Sequence, residues 1–298
     1  NYPVARGRDP RRKTGLSMSD ENEIFSPAYP VELLSRQPFS PDPEVLRAAL
    51  SRRLGQVDMP DEAAADSALV YYLRDFPVEL QDATVPAQLA MLKTGKPVEP
   101  SQYQDALTQS WDIDDAQAAL SDCRHSMAMV NLMSSSLPQK VRREIVAGGL
   151  LALLESVEAD LIHWTPSGQF IDPQTWSRRM TEPEQIDNPS YGFLNVRFYN
   201  IEDSGGEIVM DTLGSGALGL TDLQMHYRDL EPQKVAGLLY DVATYLLEQG
   251  DVIDNGHTVQ GFLPEDRWQC LHEMSLLEPQ RLVLDIDPGP PFAAGQRG

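Results

Sequence analysis

Acidic side chains gather at the turns of this 298-residue chain: Asp112, Asp114 and Asp115, then Glu202, Asp203 and Glu207, then Asp251 and Asp254. Carboxylates on loops that share one end of a fold would present a negative face, which speeds association with a basic partner and complements a cationic groove. The competing role for each group is a solvated turn. At Asp114 it is an N-cap, since acidic residues in a first turn suit the helix dipole. A hard-cation loop needs more oxygen ligands at closer spacing than Trp111-Asp112-Ile113-Asp114-Asp115 supplies, so no metal is assigned.

Other patterns capable of chemistry are incomplete. Gly214-Ser215-Gly216-Ala217-Leu218-Gly219 matches G-x-G-x-x-G, but a dinucleotide fingerprint needs the helix to open inside the motif within a βαβ unit. Here a hairpin precedes the glycines and the next helix signal is Pro232, so the segment reads as a backbone-packing turn and no cofactor is expected. His125, His163, His226, His257 and His272 show no HExxH or other paired ligand spacing. His125 and His163 fall at the ends of strands read as adjacent, where they would converge with Glu or Asp in a site assembled from distant residues. His257 would be the third suspect in such a site; a satisfied structural histidine is the competing role of each. Nucleophile-elbow, Walker and kinase signatures do not occur, and no catalytic residue is assigned. Cys123 and Cys270, isolated in sequence, read as small buried hydrophobes in a reducing compartment.

The net charge of -21 is unevenly spread. Residues 1–17 hold five basic side chains (Arg6, Arg8, Arg11, Arg12 and Lys13) against Asp9, whereas the remainder carries 19 basic and 44 acidic side chains. Such a field repels phosphate backbones, which argues against nucleic acid and for a basic protein partner. No apolar run approaches the roughly 20 residues that span a bilayer, and the start of the chain has no apolar signal core, so a cytoplasmic location is expected.

The elements that must hold these loops follow from periodicity. Pro232, Val235, Leu238, Leu239, Val242, Leu246 and Leu247, closed by Gly250, predict an amphipathic helix lying on a sheet. Residues 43–54 predict a helix with Val45, Leu46, Ala49 and Leu50 inward, and 137–157 a longer one whose Gly148-Gly149 implies close approach to a neighbour. Strands are read at 69–73, 78–80, 87–92, 125–133, 160–164, 193–201, 207–213, 258–259 and 281–286, with two short helices in 96–121 and one near Trp176. Runs of strands and helices without strict alternation define an α+β class, mostly antiparallel sheet covered by helices in a single globular unit. The expected layout is a basic leader and proline-rich arm at 1–42, an α+β domain at 43–288 whose subdomains would part near 166–190, and a frayed tail at 289–298.

The order Thr212, Leu218-Gly219-Leu220, Asp222-Leu223-Gln224, Tyr245-Leu246-Leu247 and Gly250-Asp251-x-Ile253-x-x-Gly256-x-Thr258 resembles the C-terminal half of a bacterial family known as domain of unknown function 4261. A weaker likeness runs upstream from Asp42 through Ala87-Gln88-Leu89-Ala90-Met91 to His125-Ser126. The chain as a whole is similar to immunity partners encoded beside type VI secretion effectors. That resemblance implies a non-enzymatic protein that binds and neutralises a cognate toxin, with a nuclease as one candidate. A secretion-linked adaptor or chaperone, and an enzyme of unknown chemistry, are the alternatives.

Overall fold

Alternating apolar residues build two seven-stranded, mostly antiparallel sheets, and an 18-residue helix lies on one face of each, so the class is α+β. The computed structural model describes residues 4–5, 28–60, 68–182, 189–202 and 204–295, which leaves most of the basic leader outside the described residues. Contacts of the described residues cluster into two units, one within 26–193 and the other within 194–298 together with Val4–Ala5. The division falls just beyond the polar connection at 166–190. In the second unit Val4–Ala5 form a two-residue strand, β1.

The unit at 26–193 contains β2 (Tyr29–Ser35), α1 (Pro43–Leu54), β3 (Val57–Asp58), β4 (Ala68–Glu79), β5 (Thr84–Lys93), α2 (Gln104–Thr108), α3 (Ala116–Asp122), β6 (His125–Leu132), α4 (Gln139–Ser156), β7 (Leu161–Trp164), β8 (Gln169–Ile171) and α5 (Pro173–Thr181). Its sheet runs β3-β4-β5-β6-β2-β7-β8. The expected arm therefore supplies a central strand, since β2 pairs with β6 over its whole length and with β7 at Glu32–Leu34. Pro30 is tolerated because its position faces the β7 side and β7 does not reach it, so its missing N–H interrupts no ladder. The same physics joins the strands expected at 69–73 and 78–80 into β4. Its register shifts between Leu73 and Pro77, and Pro77 faces Pro86 where β3 and β6 have both ended.

Helix α1 is capped by Asp42, whose Oδ1 accepts from Glu44 N at 2.9 Å and Val45 N at 3.0 Å. Leu46, Leu50 and Leu54 go inward, while Val45, expected inside, is exposed. A Cβ on Gly148 would lie 2.6 Å from Leu54 Cδ2, and one on Gly149 2.7 Å from Leu89 Cδ1. The two glycines let α4 settle against α1 and the sheet.

The unit at 194–298 contains β9 (Asn195–Ile201), β10 (Ile208–Leu213), β11 (Asp222–Tyr227), α6 (Pro232–Gln249), β12 (Thr258–Val259), β13 (Trp268–Met274) and β14 (Leu282–Asp287), in sheet order β1-β9-β10-β11-β14-β13-β12. Strands β11 and β14 are parallel; β9 and β10 form the expected hairpin. Helix α6 buries Val235, Leu239, Val242, Ala243 and Leu246 against Leu223, Met225, Leu284 and Ile286, while Leu238, expected in this stripe, sits only partly buried at its margin. Strand β13, which sequence periodicity did not predict, fills the place between β14 and β12. Residues 289–295, expected to fray, are tied to the end of β11: Arg228 N donates to Phe292 O at 2.9 Å and Ala294 is buried.

Candidate functional site

The second sheet has one apolar face, under α6, and one polar face. On the polar face Arg197, Asp211, Gln224 and Asp285 stand side by side across β9, β10, β11 and β14. Arg197 grips Asp211 with two donors, Nε to Oδ1 at 2.9 Å and Nη2 to Oδ2 at 2.5 Å. Arg281, from the segment between β13 and β14, reaches the same carboxylate through Nη2 at 2.6 Å, the Thr212 carbonyl at 2.7 Å and Asp222 Oδ2 through Nε at 3.1 Å. Gln224 Nε2 donates to Glu273 and Asp285, and its Oε1 accepts from Leu276 N at 2.8 Å. The segment 275–281 thus folds over the polar row and removes it from water. Two fixed guanidinium charges answer two buried carboxylates, and bidentate geometry of this kind holds one arrangement. Burial raises the Asp222 carboxyl above its ordinary value despite Arg281 and the Ser215 N–H, which pull it down.

Asp222 also decides the glycine motif. Its Oδ1 accepts from Ser215 N at 3.0 Å and Thr212 Oγ1 at 3.2 Å, so a carboxylate of this chain takes a backbone donor that a phosphate loop would offer. Ser215–Leu218 form a single 3-10 turn between Gly214 (φ 125°) and Gly219 (φ 80°), and α6 starts well beyond it.

In the first unit Glu32 on β2 lies between His163 on β7 and Tyr103. His163 Nδ1 is 3.2 Å from Glu32 Oε2, and Tyr103 Oη donates to the same carboxylate at 3.1 Å. Burial alone would raise Glu32, but hydrogen bonds from His163, Ser126 and Tyr103 and the His163 charge hold it below its ordinary value. Burial and the Glu32 charge push the Tyr103 phenol up. The expected meeting of His125 with His163 does not occur: β2 lies between their strands, pairing Ser35 with His125 and Glu32 with His163. His257 Nδ1 accepts from Asp254 N at 3.1 Å. Cys123 and Cys270 are both buried thiols, each raised to about 11 by burial. Among the described residues no group of three His, Cys, Asp or Glu side chains is arranged to hold a metal ion, and no helix is long and apolar enough to cross a membrane.

The predicted acidic residues are divided between the two units. In the first unit Asp112, Asp114 and Asp115 are exposed between α2 and α3; Asp115, rather than Asp114, caps α3 by accepting from Ala118 N at 2.9 Å. In the second unit Glu202 and Glu207 flank the β9–β10 turn, beside the C-terminal end of β11, where Glu207 pairs with Arg228 at 2.8 Å and His226 at 3.0 Å. Asp251 accepts from Thr221 at the opposite end of β11, and Asp254 lies beyond it near β13. The two groups thus occupy opposite ends of one strand. Asp203 lies outside the described residues.

Near Asp251 and Asp254 the surface forms an open groove of about 760 Å³ between α6 and the 252–261 segment. Leu238, Asp241, Val242 and Tyr245 line one wall and Val252, His257 and Val259 the other.

Residues 211–287 match a family described as Domain of unknown function (DUF4261). The match starts at Asp211 and closes at the end of β14, so it takes in Asp222, Arg281, α6 and the groove. No curated protein and no solved structure matches the chain.

Proposed function

We propose that this protein is a non-enzymatic immunity protein, which binds a basic toxin delivered by type VI secretion and keeps it from its substrate. The observation that carries the reading is the surplus of carboxylates. Residues 194–298 hold 17 Asp and Glu against 6 Lys and Arg. Four of those six cations, Arg197, Arg228, Lys234 and Arg281, are paired with carboxylates of the same unit. The surface field is correspondingly negative and steers a cationic protein toward it.

Co-expression with the toxin gene beside this one is the test. Co-purification, restored growth and an association rate that falls steeply with added salt are expected; failure of both co-purification and rescue sinks the reading. A secretion-linked adaptor would bind the same toxin and leave its turnover unchanged, so competition with the toxin's substrate separates the two.

A further inference from the structure

The walls of the groove share a compositional property. From Val235 to Asp266 the chain carries Asp241, Glu248, Asp251, Asp254, Glu265 and Asp266, with no Lys or Arg. Within this acidic surround Tyr245 is 51% exposed and Val252 45% exposed, so apolar area faces solvent from both walls. Among the described residues strand β12 is the last in its sheet and pairs with β13 alone, leaving its outer edge without a strand neighbour there.

Building on the reading of a basic partner, we propose that this groove is the docking surface, and that its occupant is an extended segment of the partner in which Lys or Arg alternates with apolar side chains. Alternation places the two kinds of side chain on opposite faces of an extended segment. The apolar face meets Tyr245 and Val252, the cations on the other face lie in the negative field that Asp241 and Asp254 set up around the groove, and the backbone runs along β12 as an added strand. An acidic segment would set like charges together and a purely polar one would leave the two apolar side chains in water.

The probes are a short synthetic peptide alternating Lys with Val and its counterpart with Glu in place of Lys, titrated into the full chain while backbone amide resonances are followed. Shifts centred on 238–261 are expected with the Lys peptide alone. Tyr245→Ala combined with Val252→Ser weakens binding roughly tenfold or more, and Asp241→Asn with Asp254→Asn flattens its salt dependence. Circular dichroism of the variants checks that these surface changes leave the fold intact. No shifts at millimolar peptide, equal shifts with the Glu peptide, or shifts centred elsewhere overturn the proposal. If the toxin binds the Tyr245→Ala/Val252→Ser variant as tightly as the native protein, the groove assignment falls and the immunity reading stands. If the Lys peptide occupies the groove but no toxin is captured, the immunity reading falls and the groove stands.

Discussion

Helices α4 and α6 have equal length and the same task of covering a seven-stranded sheet, yet their outer sides differ. Helix α4 is packed on two sides: Leu54 of α1 stands over Gly148, and Leu89 and Met129 of the sheet crowd Gly149. Helix α6 is enclosed on one side only, with open space where a Gly237 Cβ would point and Asp241 and Tyr245 exposed beside the groove. The polar clusters of the two units differ in a parallel way. The carboxylates of the Arg197–Asp211–Arg281–Asp222 set are sealed, with 0% of Asp211 and 3% of Asp222 exposed, whereas Glu32 keeps 18% of its side chain exposed. One architecture serves, in the first unit, to close a helix layer, and in the second to close a polar face while leaving a helix flank available.

The largest effect should come from the sealed network. Asp211→Ala leaves Arg197 and Arg281 facing each other without their shared carboxylate. It should cost about 3–5 kcal/mol in urea unfolding, and a cost under about 1 kcal/mol would break the contrast between sealed and open clusters. The helices give the next test. Gly149→Ala should destabilise by about 1–3 kcal/mol through overpacking. Gly237→Ala should stabilise by up to about 1 kcal/mol, because helix propensity acts there with no neighbour to clash. Equal signs would erase the difference between α4 and α6.

The smallest expected effect is on pH dependence. Glu32 has a folded value below its unfolded one, so its contribution is present above the ordinary carboxylate range, about pH 4.3, and is lost as pH falls through the folded value. Glu32→Gln should therefore lower stability at neutral pH and converge with the native protein in acid. Asp222 acts in the opposite sense: its raised carboxyl favours the fold on the acid side, and that advantage fades as pH climbs through the folded value. Stability measured between pH 3 and 7 for Glu32→Gln and Asp222→Asn should diverge in slope, and parallel curves would remove the distinction.

What the sequence disclosed was local. Pro232 and Gly250 bound α6 as a proline at its start and a glycine past its end require, and the adjacent glycines of α4 correctly implied close packing. The misses share a cause, which is dependence on a partner far along the chain. The strand at 29–35 looked like part of an arm because proline recurs at 27, 30, 38, 41 and 43, and only the short reach of β7 shows why Pro30 is harmless. With β2 unseen, His125 and His163 appeared adjacent. The polar row of Asp211, Asp222 and Gln224 escaped because periodicity predicted no strand at 222–227, so nothing set β11 beside β10. Nothing near them announces that 275–281 will cover it. The signal that could have found the row was the motif Thr212 with Asp222-Leu223-Gln224, already singled out as part of the resemblance.

Arg281 stands 70 residues after Asp211 and 59 after Asp222. A ribosome therefore releases both carboxylates, preceded by Arg197, long before this second guanidinium, which follows only after β9, β10, β11 and α6 have all been made. Until that late arginine arrives, the half-built sheet holds an excess of negative charge on the face it must bury. Closure of this unit is thereby deferred until residue 281 has been made, and a chain cut short before it keeps Asp211 and Asp222 with Arg197 as their one guanidinium.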